Sequence, residues 1–120
     1  MNRWVLLEHK ILGSKIIDIH YDFLVEDRTN CITWKFHEIP SLNKGFVEIR
    51  KQPNHRLIWL SRVEHQLSNN RGLVKRIDHG TSSYISHNPD SQELKMILNG
   101  SLLNGLFIID GNFCQLTKNN

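Results

Sequence analysis

Ile16-Ile17-Asp18-Ile19-His20-Tyr21-Asp22-Phe23-Leu24-Val25-Glu26 decides how the chain reads. Apolar and polar residues alternate with a period of two, which predicts a β-strand. Ile19, Tyr21, Phe23 and Val25 share one face. Asp18, His20, Asp22 and Glu26 share the other, interrupted by Leu24. Side chains two apart on a strand point the same way, so His20 and Asp22 are neighbours. A polar strand face is either plain solvated surface or a place where an imidazole and a carboxylate meet one ion.

Outward from this strand, the chain reads as β throughout. Arg3 to Glu8 is a first strand ending at Glu8-His9, and Lys10 to Lys15 a loop. Asp27 to Asn30 is a polar turn into a second alternating run, Cys31 to Phe36, so the two strands form a hairpin. Pro40 to Asn54 reads as a long excursion with a short strand at Phe46 to Ile49. His55 to Leu60 is a further strand, a weak helical pattern follows at Glu64 to Leu67, and Ser68 to Gly72 is a turn. Leu73 to Ile77 is a strand ended by Asp78-His79-Gly80. Thr81 to Ser86 is β-prone, and His87 to Asp90 breaks it. Glu93 to Leu98 and Leu102 to Ile109 flank the hairpin signal Asn99-Gly100. Asp110-Gly111 is a second such signal before Phe113 to Leu116. This pattern predicts a mainly β, single-domain fold: a small antiparallel barrel of about eight strands with little helix.

With 120 residues, 39% hydrophobic content and mean hydropathy −0.39, the chain has room for one core and no bilayer-spanning run. No signal peptide is recognisable, which sets a cytoplasmic expectation. Net charge +3 permits an anionic partner without demanding one. Cys31 and Cys114 lack CxxC spacing and read as reduced thiols. Seven histidines are the stronger compositional signal.

His9, His20, Asp22 and His55 all fall at strand ends or on a polar strand face. Two imidazoles and a carboxylate suit manganese, iron or zinc with open positions. His55 would be a fourth partner, as ligand or as donor to an oxyanion. His37, His65, His79 and His87 carry no comparable signal. Arg50, Lys51, Arg56, Arg62, Arg71, Lys75 and Arg76 form a basic set suited to phosphates, or an ordinary charged surface. Trp34, Trp59 and Tyr84 suit base stacking or a core equally.

His20-Tyr21-Asp22-Phe23-Leu24-Val25-Glu26 resembles the HYDFRLE motif of the 3′-phosphoesterase domain of bacterial DNA ligase D and its small stand-alone relatives. Leu7-Glu8-His9 resembles the preceding strand, which ends in a histidine. Thr33-Trp34 with Pro40-Ser41 resembles a W…PS segment, and Pro53-Asn54-His55-Arg56-Leu57 resembles the next motif. Ser68 to Thr81 is similar to SGxRGxVxRWDxGTY, and Leu98 to Phe107 to LxGxxLxGxF, so the resemblance spans nearly the whole chain. It implies a β-barrel with a divalent-metal site, typically manganese, with zinc or another divalent ion as the alternative. His9, His20 and Asp22 match the metal ligands. His55 and His20 match the catalytic positions, and Arg56, Arg71 and Arg76 are the expected nucleic-acid contacts. The implied activity is trimming of 3′-phosphate or 3′-ribonucleoside ends, by a monomer whose partner is DNA or RNA and not a membrane. Leu24, Trp59, Pro53 and Glu38 replace an arginine, a tyrosine, a glutamate and a lysine of the family pattern, and the loop between His9 and His20 is longer. Those departures open a second reading, a metal- and nucleic-acid-binding module without turnover. His-x-Asp with a distant histidine, His79, is also the pattern of Fe(II)/2-oxoglutarate oxygenases, a third reading.

Overall fold

The structure, a computed structural model, describes residues 1–12, 17–67, 71–88 and 92–119. It contains ten strands: β1 (Asn2–Leu12), β2 (Ile17–Asp27), β3 (Asn30–Phe36), β4 (Val47–Glu48), β5 (Arg50–Arg56), β6 (Glu64–Gln66), β7 (Leu73–Asn88), β8 (Glu93–Asn99), β9 (Asn104–Asp110) and β10 (Phe113–Thr117). One 3-10 turn, Leu57–Leu60, is the sole helical element among the described residues. All strands join one antiparallel sheet in the order β4-β10-β9-β8-β7-β1-β2-β3-β5, with β6 attached to β7. The ladder ends at β4 and β5, which do not pair with each other; in the chain only Ile49 separates them.

Alternation explains most strands. Leu94, Met96 and Leu98 of β8, Phe107 and Ile109 of β9, and Cys114 and Leu116 of β10 all point into the main core with Trp4, Leu6, Phe23 and Trp34. The central strand β1 departs from this pattern. Trp4, Val5, Leu6 and Leu7 are all buried. A continuous apolar run means cover on both faces. Val5 and Leu7 point away from the main core into a second apolar cluster with Leu24, Cys31, Leu60 and Val74, flanked by Leu57, Trp59 and Leu67. The 3-10 turn is the cover, and it is why His55 to Leu60 is not a single strand. Leu57 and Leu60, three residues apart, lie on one side of such a turn and reach over the outer face of the sheet.

Several boundaries differ from expectation for reasons of pairing. β1 continues through His9 to Leu12 because these residues pair with Ile17 to His20, so Lys10 to Leu12 is strand. Arg50 to Asn54 is strand, not excursion; Pro53 is tolerated because β5 is exposed and ends the ladder. Glu64 to Gln66 is a strand on β7 rather than helix. Asp78-His79-Gly80 does not end a strand: β7 runs unbroken past β1, with a register shift between Leu6 and Leu7. Gly80 is required there because a Cβ would lie 2.6 Å from Asn99 Oδ1 and 3.2 Å from Trp4 Nε1. Asn99-Gly100 is not a two-residue turn. Asn99 pairs with Asn104, leaving the loop Gly100 to Leu103. The second hairpin loop is Gly111-Asn112, one residue along from Asp110-Gly111. The expected features at Gly13-Ser14, Ser68 to Asn70 and Pro89-Asp90 lie outside the described residues.

Candidate metal centre

β1 and β2 pair with His9 opposite His20 and Leu7 opposite Asp22. The alternation that sends Phe23 and Val25 into the main core sends His20, Asp22 and Leu24 to the outer face. The three groups therefore stand at the margin of the second apolar cluster. His20 is 7% and Asp22 9% exposed.

One donor atom from each of His9, His20 and Asp22 lies within 4.8 Å of the other two. His9 Nδ1 is 3.1 Å from His20 Nε2, and His20 Nε2 is 3.8 Å from an Asp22 carboxylate oxygen. Ligands at about 2.0–2.1 Å from a tetrahedral ion stand about 3.3 Å apart, so the donors are close to the required spacing. The tautomer of His9 fits as well. Its Nε2 is 2.7 Å from the Arg71 carbonyl oxygen. A carbonyl only accepts, so Nε2 carries the hydrogen and neutral His9 turns a bare Nδ1 toward His20. This is the outer hydrogen bond that orients a ligating imidazole. His20 lacks its counterpart: Nδ1 is the one buried side-chain polar atom without a partner among the described residues.

The electrostatics run against isolated charge. Burial, opposed by Asp22 and reinforced by His9 and Lys35, lowers the pKa of His20. Burial raises that of Asp22, opposed by His20, His55, His9 and Lys35. A neutral imidazole with a desolvated carboxylate is a donor set that a dication would stabilise. The residues therefore fit a divalent ion by spacing, tautomer and charge.

The other expected residues are placed less directly. His55 acts on Asp22 electrostatically but is not one of the three clustered donors. Its Nδ1 donates to the Pro53 carbonyl at 3.1 Å, and its ring meets Trp59 edge-on. Arg71 reaches the centre through its backbone. Arg76 lies opposite Leu7, in the cross-strand row that continues to Asp22. Arg56 is exposed where β5 meets the 3-10 turn. His79, the third ligand under the oxygenase reading, is exposed on β7, and the clustered histidine is His9.

Two neighbours were not singled out from the sequence. Lys35 pairs with Asp22 across β2 and β3. His37, the residue after β3, has its ring centre 6.3 Å from that of His20. Register brings both there, and a single strand's alternation does not report what its neighbour carries. At the departures from the family pattern, Leu24 is fully buried in the second cluster. Trp59 stands edge-on to His65 at 5.5 Å, with the Arg62 guanidinium 4.4 Å from its ring centre. Pro53 and Glu38 are exposed. A cavity of about 340 Å³ is lined by Lys35, His37 and Arg50 among others. A second, of about 460 Å³ between Asp27, Trp34, Lys51 and Glu93, includes none of the three donors.

Compared with known proteins, the chain matches no protein-family model and no curated protein sequence.

Proposed function

We propose that the chain is a divalent-metal-dependent phosphoesterase acting on nucleic-acid 3′ ends, a small relative of the ligase D 3′-phosphoesterase domain. The observation that carries the metal half is the cluster of His9, His20 and Asp22 donors within 4.8 Å. The substrate half is supported by the ordered resemblance from His9 to Phe107. When bound, a divalent cation polarises a phosphoryl oxygen and acidifies a water. The protein's own groups do the rest. His9, held by the Arg71 carbonyl, keeps Nδ1 free of hydrogen. Asp22 supplies the negative charge. Lys35 across the strand pair provides a fixed positive charge for an incoming phosphate. His55 is assigned to the oxyanion by resemblance. The same reading makes the protein a cytoplasmic monomer with a closed barrel. The barrel is supported by residues 47–56, which pair with β10 at one end and β3 at the other.

The test is phosphate release from a 3′-phosphorylated primer-template in Mn²⁺. Wild type is expected to release phosphate and His20→Ala to lose at least 100-fold in rate. Absence of release from wild type, equal to His20→Ala, rejects the enzymatic reading. One observation favours the non-catalytic alternative. Leu24 holds the motif arginine's position and is fully buried, so no cation grips phosphate from there. Salt-dependent DNA binding without release is that reading's outcome.

A further inference from the structure

We infer that His37 is a fourth donor to the ion held by His9, His20 and Asp22, so that the site presents three imidazoles and one carboxylate. The inference rests on the metal reading above. His9, His20 and His37 come from three adjacent strands or their ends: His9 pairs with His20, and His37 follows the Phe36 that pairs with Tyr21. They therefore form one row across the sheet beside Asp22. Imidazoles sharing an ion at about 2.1 Å place their ring centres from about 4.5 Å apart, at a right angle, to about 6.5 Å apart, in line. The His9–His20 rings are 4.5 Å apart, at the right-angle end of that range, and the His20–His37 rings 6.3 Å apart, near its in-line end. The His37 nitrogens stand outside the 4.8 Å group of the other three donors, so His37 would join them by a turn of its side chain.

His37 differs from its partners in being exposed. It borders the cavity of about 340 Å³ that Lys35 and Arg50 also line, so its ring is not packed in on that side. His9 and His20 stand on paired strands, whereas His37 lies just beyond the end of β3. Three nitrogens to one oxygen also alter the preferred metal. Imidazole-rich sets favour zinc, copper and nickel, whereas manganese favours oxygen. His37 would add a third imidazole to the residues that hold the ion, on the side of the site where Lys35 pairs with Asp22.

The test counts ligands and does not depend on turnover. Cu²⁺-loaded protein is studied by electron paramagnetic resonance, and Zn²⁺ affinity is measured by competition with a chelating dye. Wild type is expected to show coupling to three nitrogens and His37→Gln to two, with Zn²⁺ affinity lowered roughly tenfold or more. His79→Gln, also exposed, is expected to match wild type. An unchanged nitrogen count and zinc affinity in His37→Gln, with binding lost in His20→Gln, overturns the inference and leaves the three-donor site intact. Unchanged binding in both variants overturns the metal reading as well. Circular dichroism of each variant confirms that losses are not unfolding.

Discussion

Asp78 shows how much one side chain can decide. Its carboxylate accepts hydrogen bonds from the backbone N–H groups of Ser101, Leu102 and Leu103 at 2.7–2.9 Å, and of His79 at 3.0 Å. It thereby organises the Gly100 to Leu103 loop and lets Leu103 enter the main core. This is why Asn99-Gly100 does not form the tight turn its composition suggests. Asp78→Ala leaves those donors without their acceptor and is expected to cost about 3 kcal/mol or more by urea denaturation. A loss under 1 kcal/mol would mean that the loop holds itself. In the candidate centre, His20 and Asp22 were legible because alternation along one strand suffices to group them. His9 was legible as a histidine at the end of the neighbouring strand, and it pairs with His20. Lys35 and His37 were not, since their approach depends on the register between β2 and β3. Arg56 illustrates the reverse: its type suits phosphate, but it lies at the start of the 3-10 turn, outside the row of donors.

At the scale of elements, the second apolar cluster ties fold to site. The same outward face that carries His20 and Asp22 also carries Leu24, Val5 and Leu7, and the turn Leu57–Leu60 covers it. That cover lies on the same face of the sheet as the His20 and Asp22 side chains. Alternation does not separate a short strand from a 3-10 turn in a run such as Leu57-Ile58-Trp59-Leu60, because both place apolar residues inward over four positions. Docking on the sheet decides between them. Leu60→Ala removes most of a side chain only 5% exposed and is expected to destabilise by about 2–3 kcal/mol, read as a lower urea midpoint with unchanged slope. A change near zero would show that the turn contributes little cover. β7 carries a similar lesson. Asp78-His79-Gly80 has the composition of a break, yet the segment stays in the ladder because Gly80 admits the Trp4 and Asn99 side chains at close range.

For the whole molecule, the antiparallel character follows from the strand-length apolar runs and their turn residues, and the described residues form ten strands where about eight were expected. β4 falls within the short strand expected at Phe46 to Ile49; those missed are most of β5, Arg50 to Asn54, and all of β6, whose exposed, polar or proline-containing sequences hide their pairing. No helix among the described residues is long and apolar enough to cross a membrane. Both thiols are free and fully buried, one in each apolar cluster. Burial pushes Cys31 up to about 11 and Cys114 up to about 12. Since folding raises these values above an unfolded thiol's roughly 8.5, stability is full below that pH and falls as pH rises beyond it. The loss is expected to reach roughly 1 kcal/mol per thiol near pH 9.5. Thermal melts between pH 7.5 and 10 test this against Cys31→Ser and Cys114→Ala, each of which flattens the slope. An identical slope in the double variant would assign the decline to other groups.

The proposed function requires an ion bound between β1 and β2. Isothermal titration of Zn²⁺ and Mn²⁺ into wild type and His20→Ala addresses it most directly. The expected result is one ion per chain in wild type, with affinity lowered by two orders of magnitude or more, roughly 3 kcal/mol, in His20→Ala. No binding by wild type, or equal binding by the two proteins, would contradict it.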